Sequence, residues 1–495
     1  MFKKYLYITL LGLFAVSCSE DTMDNINKDE ANPPAATVDA KYQITDAIMS
    51  TGFTTWSGAY AWYVASYTEQ IFGTGNNQLM KAELRQRTET AASTTFNNEW
   101  NGTYANLMNI SQIIQKCSDG GLNQGQYDIL GMAQVLWVLN VEALTDLHGD
   151  IPCSEAGAGI STLQPKLDKQ QDIYNKLFTT LESAKGNLSL AIEGRLNNAK
   201  GQDILFGGDS SKWLALANAI KARLLLNTLF RDPDVLSNVL IAANDAITSG
   251  FEGAEISAFN GVDCDNPWTA FFWSRVYSGA CKTVVDLMSE RNDPRAEVYS
   301  FDYFESGVTC APAGDASLAG ESQVVGIPTW LDNGAATLHL MSKSELYFIL
   351  AEAKARLGQD ASADFATAVS ASFDDFAAAD PGYTAFDPSS SAAYITSLGT
   401  PTLKEIMIQK YISQCRDEQI MAYNDLRRCR ALNETFVELK NPNNINGGQN
   451  QWPLRLAYGN SDVVSNPNVA AAFGSGNNAG NYLFTENIWL YGGSR

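Results

Sequence analysis

Between Asn266 and Tyr277 the chain places Trp268, Phe272, Trp273, Arg275 and Tyr277 within twelve positions. Flat aromatic rings stack on the apolar C–H faces of a sugar, while amides and a guanidinium direct hydrogen bonds to its hydroxyls. Tyr303 and Trp330 extend the set on later loops. A second polar loop runs from Gly73 to Arg85, with Asn76 and Asn77 at its tip, after an aromatic stretch containing Trp56, Tyr60 and Trp62. The chemistry these residues fit is non-covalent capture of a hydroxyl-rich ligand. For each ring taken singly the competing assignment is core packing, because Trp and Tyr bury most of their surface in folded proteins.

Residues for bond-breaking chemistry are harder to assemble. His148 stands among Glu142, Asp146 and Asp150, but no second His or Cys completes a transition-metal set, so structural hydrogen bonding is expected there. His339 is equally isolated along the chain. Asp263, Asp265 and Asn266 offer oxygen ligands for a structural calcium, without the glycine and distal glutamate of an EF-hand loop. No other cofactor is indicated. The chain has no G-x-S-x-G elbow, H-E-x-x-H helix or Walker loop, and Gly474 to Ala479 only superficially imitates a dinucleotide fingerprint. Paired carboxylates for glycoside cleavage need a separation of ~5–10 Å that sequence does not display, which keeps a hydrolase as an alternative.

The N-terminus has the form of a secretory signal. Lys3 and Lys4 precede an apolar run from Tyr5 to Val16, too short for the ~20 residues of a spanning helix. Ala15-Val16-Ser17-Cys18 resembles a lipobox, which makes Cys18 the acylated residue, with fatty chains such as palmitate as its anchor. Ser19, Glu20 and Asp21 then open a polar tether that resembles a surface-export signal, so display on the outer face is expected. Loss of residues 1–17 removes two lysines and takes the formal charge from -21 to -23. Nucleic acid is excluded as a partner, since phosphate binding requires clustered Lys and Arg. The other seven cysteines are scattered and odd in number, and are expected as buried thiols.

Helical periodicity supplies the scaffold. Ile129, Met132, Ala133 and Leu136 share one face, as do Trp213, Leu216, Ala217, Ile220 and Leu224; Leu346, Ile349, Leu350, Ala353 and Leu357; and Ile408, Tyr411, Ile412 and Cys415. Small residues among them, such as Ala217, Ala219 and Ala353, permit close helix approach. Ser342 with Glu345 and Thr402 with Glu405 read as capping boxes, Gly358 as a stop, and Asp168 as the cap of a helix through Leu190. A further helix is expected from Phe96 to Cys117. Trp100 with Tyr104, and the helices flanking residue 150, resemble degenerate tetratricopeptide pairs. The resulting plan has a signal at 1–17, a lipidated tether at 18–40, and one mainly α domain at 41–495. Within that domain the helical scaffold covers about 41–250 and 341–440, a loop-rich ligand region 251–340, with an extended run at Ser322 to Ile327, and an irregular C-terminal region 441–495.

Several motifs carry a family resemblance. Glu142 to Pro152, containing His148-Gly149-Asp150-Ile151-Pro152, is similar to the helix and Gly-Asp-x-Pro turn of the SusD/RagB family. Trp213 to Leu226 resembles that family's Trp-led helix, and Asn292-Asp293-Pro294-Arg295 its Asp-Pro-Arg turn. Ser344 to Leu357, Gln409 to Arg428 and Trp452 to Asn468 resemble its later segments, in the same order. The resemblance implies a SusD-like fold with tetratricopeptide-like helix pairs. It also implies extracellular capture of nutrients, mainly oligosaccharides, and partnership with a SusC-like TonB-dependent transporter in the outer membrane. A peptide-binding or protein-interaction scaffold is the other reading.

Overall fold

The computed structural model describes residues 37–157, 162–441 and 451–495. The signal segment, Cys18 and most of the tether lie outside the described residues. In chain order the main helices are α1 (Lys41–Ser50), α2 (Ala59–Tyr67), α3 (Asn97–Cys117), α4 (Tyr127–His148), α5 (Gln170–Gly194), α6 (Ser210–Asn227), α7 (Leu236–Thr248), α8 (Pro267–Arg275), α9 (Lys282–Ser289), α10 (Lys343–Arg356), α11 (Ser362–Ala379), α12 (Leu403–Gln414) and α13 (Gln419–Ala431). The short strands are β1 (Phe72–Gly73), β2 (Ala254–Ile256), β3 (Ser278–Gly279) and β4 (Leu338–Met341). The fold is mainly α-helical, as the periodicities require.

Helices α3, α4, α5, α6, α7, α10 and α11 each pack on the preceding one, the arrangement expected of stacked helix pairs. Ala217, Ala219, Ala222, Ala351 and Ala353 are fully buried in these contacts, where their small side chains let neighbouring helices approach. Helix α7 packs directly on α10 although more than ninety residues separate them, so the loop-rich region is an excursion from a continuous helical array. Its two ends are tied at the base. β2 pairs with β4 antiparallel, joining Ala254 to Met341 and Ile256 to Leu338. β1 pairs with β3, which brings the Gly73–Asn77 loop onto the same excursion.

Local signals account for the helix boundaries with three corrections. The N–H of Glu345 donates to Ser342 Oγ (2.9 Å) and that of Glu405 to Thr402 Oγ1 (3.2 Å), but neither box has its return half: Glu418 accepts the Ser342 N–H (2.7 Å), and the Glu405 carboxylate accepts from Arg291 (2.8 and 3.1 Å). Asp168 does not cap α5: it accepts the N–H groups of Cys153 and Ser154, and Asp150 accepts the N–H of Gln170 (2.9 Å) at the helix start. The run from Ser322 to Ile327 forms no strand; its one ladder contact is the bridge from Ile327 to Phe301. Helix α4 is buried nearly all round, so the face of Ile129, Met132, Ala133 and Leu136 is one of several apolar faces. It is long and apolar enough to cross a membrane but is enclosed by its own protein. The seven described cysteines are free thiols, five of them buried.

The Gly-Asp-x-Pro segment ties α4 to the C-terminal region. Gly149 has φ +85°, and a Cβ there would lie 2.8 Å from the Arg455 guanidinium, so the turn requires glycine. The His148 ring meets the Leu456 carbonyl (3.2 Å) and accepts from the Tyr60 hydroxyl (3.1 Å), enclosed by Trp100 and Tyr458. Burial, and then Arg455 and Arg427, push its pKa down to about 3. An unfolded histidine titrates near ~6.5, so the unfolded chain takes a proton that the folded one refuses. This contribution is complete above ~6.5 and is lost as pH falls toward 3, at up to ~1.4 kcal/mol per pH unit. Buried Glu142 and Asp146, raised to about 7 and about 6 chiefly by desolvation, act with the opposite sign. The difference between wild type and His148→Gln isolates the histidine: denaturation midpoints measured from pH 7 to 4 should fall less steeply in the variant. Parallel curves would show that His148 is protonated in the fold.

Candidate functional site: an exposed aromatic platform

Helix α8 decides which aromatic side chains face solvent. Asn266 Oδ1 accepts the Trp268 N–H (2.9 Å) as its N-cap, and Pro267 fits the first turn. Trp268, Phe271 and Phe272, at offsets of three and four, turn inward, where Phe271 stacks on Trp62 at 3.5 Å between centroids. Trp273, one residue further on, is 45% exposed. Its indole N–H donates to Asp332 Oδ1 (2.7 Å). Asp332 ends the 3₁₀ turn Thr329–Asp332, and its other oxygen accepts the hydroxyl of Tyr383. Tyr303 meets Trp273 edge-on at 5.9 Å and Tyr383 at 6.0 Å, while Phe301 stacks beneath Tyr383 at 5.4 Å.

Three exposed or half-exposed rings therefore surround one carboxylate that locks two of them by hydrogen bonds. The bond to Asp332 raises the Tyr383 pKa, and burial followed by the Asp332 charge raises that of Tyr303, so both phenols stay protonated near neutral pH. With both Asp332 oxygens engaged, the carboxylate serves to position rings. The surface offers ring faces, phenol donors and acceptors, and a fixed negative charge. Arg275 projects from the end of α8, donating only to its neighbour's carbonyl (3.0 Å) and making no ion pair with a described residue.

The sequence-selected residues separate into three groups. Trp273, Arg275, Tyr303 and Asn76 reach solvent, at least in part. Trp268, Phe272 and Trp330 do not, because each is at most 2% exposed and fills the core; Trp330 packs on Phe376 at 5.3 Å. Tyr277 is half-buried, with its ring against Phe271 and the Gly75 backbone. Asn77 spends its side chain capping the helix at Gln78–Glu83 and bonding the carbonyls of Thr74 and Gly75. Asn266 likewise caps α8 and bonds the Ala336 carbonyl (3.0 Å), so it is not available to calcium beside Asp263 and Asp265. Asp332, Tyr383 and Phe301 were not foreseen. The one local signal was the turn Asp380-Pro381-Gly382-Tyr383, in which Gly382 at φ +91° presents the tyrosine at a loop tip. A separate recess of about 310 Å³, lined by Tyr411, Leu426, Cys429 and Phe436 among others, shares no residue with the platform.

Residues 40–459 match the SusD-like family described as starch-binding and associating with the outer membrane. No curated protein matches the chain. Among solved structures, a SusD/RagB family protein from Bacteroides thetaiotaomicron is 32% identical, with a TM-score of 0.82 over 93% of this chain and 100% of that one. A chitin-binding protein superposes with a TM-score of 0.71 at 22% identity, covering 91% of this chain and 99% of its own. A chitin-binding SusD homolog from Flavobacterium johnsoniae gives 0.65 at 17% identity, covering 90% and 98%. The motif order along the chain, the helical array and these matches agree, and the chain belongs to the SusD-like family, whose members associate with the outer membrane.

Proposed function

We propose that this protein captures oligosaccharides at the cell surface and delivers them to a SusC-like TonB-dependent transporter, without catalysis. The observation that carries the reading is the Trp273, Tyr303 and Tyr383 platform around Asp332, on a chain whose family description is starch-binding and two of whose structural neighbours are named chitin-binding. Sugar C–H faces stack on the rings, and the phenols, Arg275 and Asn76 supply directed hydrogen bonds. Residues 1–17 serve as signal, Cys18 carries the lipid anchor, the tether reaches residue 40, and 41–495 act as one ligand-holding unit. A carboxylate whose two oxygens are already bonded to Trp273 and Tyr383 is suited to positioning, which favours binding over hydrolysis. Isothermal calorimetry of the purified protein against starch, chitin and other oligosaccharides, with peptides as a parallel panel, tests this. Saturable binding of an intact glycan is expected. Binding confined to peptides would favour the peptide-capture reading, and rapid glycan cleavage would overturn the proposal.

A further inference from the structure

The neck of the excursion joins three side chains that lie far apart in sequence. In β2 and β4, Ala254 pairs with Met341 and Glu255 with His339, a bulge that skips Leu340 and sets Glu255 directly opposite His339. Helix α11 brings Asp375 to the same point. His339 Nε2 lies 3.4 Å from a Glu255 oxygen and 3.6 Å from an Asp375 oxygen, and the ligand atoms of all three lie within 4.8 Å of one another. His339 is 3% exposed, and its Nε2 makes no hydrogen bond. This nitrogen is buried between two carboxylates at ion-pair distance, without the geometry of a good hydrogen bond to either.

We infer that Glu255, His339 and Asp375 form a binding site for one divalent transition-metal ion of the zinc class. Metal–ligand bonds of ~2.0–2.1 Å at a tetrahedral angle place neighbouring ligand atoms ~3.3–3.4 Å apart, close to the two distances from Nε2. The ring is already oriented. Both oxygens of Asp417 lie 3.1 Å from Nδ1, and the same carboxylate accepts the His339 main-chain N–H (3.0 Å). That partnership keeps a proton on Nδ1; Asp417, Asp375 and Glu255 outweigh burial and hold the imidazole well above its ordinary pKa, so a bound ion takes the place of the Nε2 proton, with Nδ1 held as metal-binding histidines require. Arg416 in turn holds Asp417. Around His339 three carboxylates face one guanidinium, so a divalent ion beside a neutral imidazole brings the group to balance. Glu255, with its side chain 41% exposed, gives the ion a route from solvent and leaves a fourth position for water. One nitrogen and two carboxylates suit zinc, whereas calcium and magnesium require six or more oxygen ligands. The bound ion would clamp α11 to the β2–β4 ribbon at the base of the loop region.

The test titrates the purified, chelator-treated protein with Co²⁺ and then Zn²⁺. One equivalent of Co²⁺ giving the intense visible absorption of a four-coordinate site, displaced by Zn²⁺, is expected, together with a rise in melting temperature on adding Zn²⁺. Glu255→Gln, at a half-exposed position that should leave folding intact, should weaken Zn²⁺ at least ~10-fold and abolish the melting shift. His339→Gln should remove binding altogether, with circular dichroism as the folding control. Absence of saturable Co²⁺ or Zn²⁺ binding, preference for Ca²⁺ over Zn²⁺, or unchanged affinity in Glu255→Gln would each overturn the inference.

Discussion

Replacing Arg295 with methionine is expected to destabilise the protein by about 3–5 kcal/mol, because it strands a buried charge. Asp293 and Arg295 are both fully buried and form a bidentate pair, Nε to Oδ1 at 3.0 Å and Nη2 to Oδ2 at 2.6 Å. The guanidinium also donates to Ser372 Oγ (2.7 Å) and Gln409, and lies over the rings of Phe373 (4.9 Å) and Phe376 (5.5 Å). One side chain therefore joins the Asp-Pro-Arg turn to α11 and α12. Methionine keeps the volume but leaves Asp293 with only the Tyr394 hydroxyl and the main-chain N–H of residue 295 in a buried site. Arg295→Lys should recover little, since a point charge on a flexible stem cannot supply the fork to Asp293 while bonding Ser372 and Gln409. Adding Asp293→Asn to Arg295→Met should restore ~1–3 kcal/mol, because no ionised group then remains unpaired. Chemical denaturation of the four proteins measures all of this. A loss under ~1 kcal/mol in Arg295→Met would show that Asp293 finds another partner or is protonated in the fold.

That turn shows what sequence can and cannot disclose. The order Asn292-Asp293-Pro294-Arg295 marks a turn on local grounds, and Asn292 adopts the positive φ of +52° that such a turn uses. The contacts of Arg295 reach residues 372 and 409, and nothing local announces them. The same division runs through the fold. The N-caps of α10 and α12 were legible because a cap spans three residues, whereas the cap of α5 was misassigned to Asp168 because Asp150 reaches it across a loop. The excursion's limits were visible where the helical period fails. Its closure by β2 and β4 was not, since the pairing joins residues more than eighty positions apart. His339 looked isolated for the same reason.

The aromatic cluster was the nearest miss. Its composition marked the segment that carries the exposed Trp273, but reading it as loop hid the helical phase that sorts its members. Once α8 is recognised, Trp268, Phe271 and Phe272 fall on one side, and Trp273 lies off that stripe and faces water. Trp330 precedes the buried Leu331 in a tight turn whose outward residue is Asp332, so the side chain that this loop turns outward is an acid instead of a ring. Tyr383 comes from beyond the end of α11, outside the loop-rich stretch 251–340, and joins the platform only through tertiary structure.

The platform makes a prediction sharper than binding alone. Trp273→Ala and Tyr383→Ala should each weaken oligosaccharide binding by about 10- to 30-fold, equivalent to ~1.4–2 kcal/mol, and the double variant should leave no measurable binding. Each single loss includes some loosening of the other ring, because Trp273 and Tyr383 share Asp332: removing either frees a carboxylate oxygen and leaves the other ring's partner less firmly held. Tyr383→Phe separates the two contributions. It keeps the stacking face over Phe301 and loses only the bond to Asp332, so a loss below ~3-fold would assign most of the effect to the ring and a loss near ~10-fold would assign it to the bond. Asp332→Asn should act like Tyr383→Phe, since an amide can accept one donor well but not both with a charge. Because Trp273 and Tyr383 are 45% and 40% exposed, these changes should cost far less stability than Arg295→Met, which makes lost affinity readable as lost contact. Affinity retained in the double variant would move the ligand away from this surface, with Asn76 and the Gly73–Asn77 loop as the next region to substitute. Calorimetry at one fixed protein concentration, with the same glycan for all variants, decides between these outcomes.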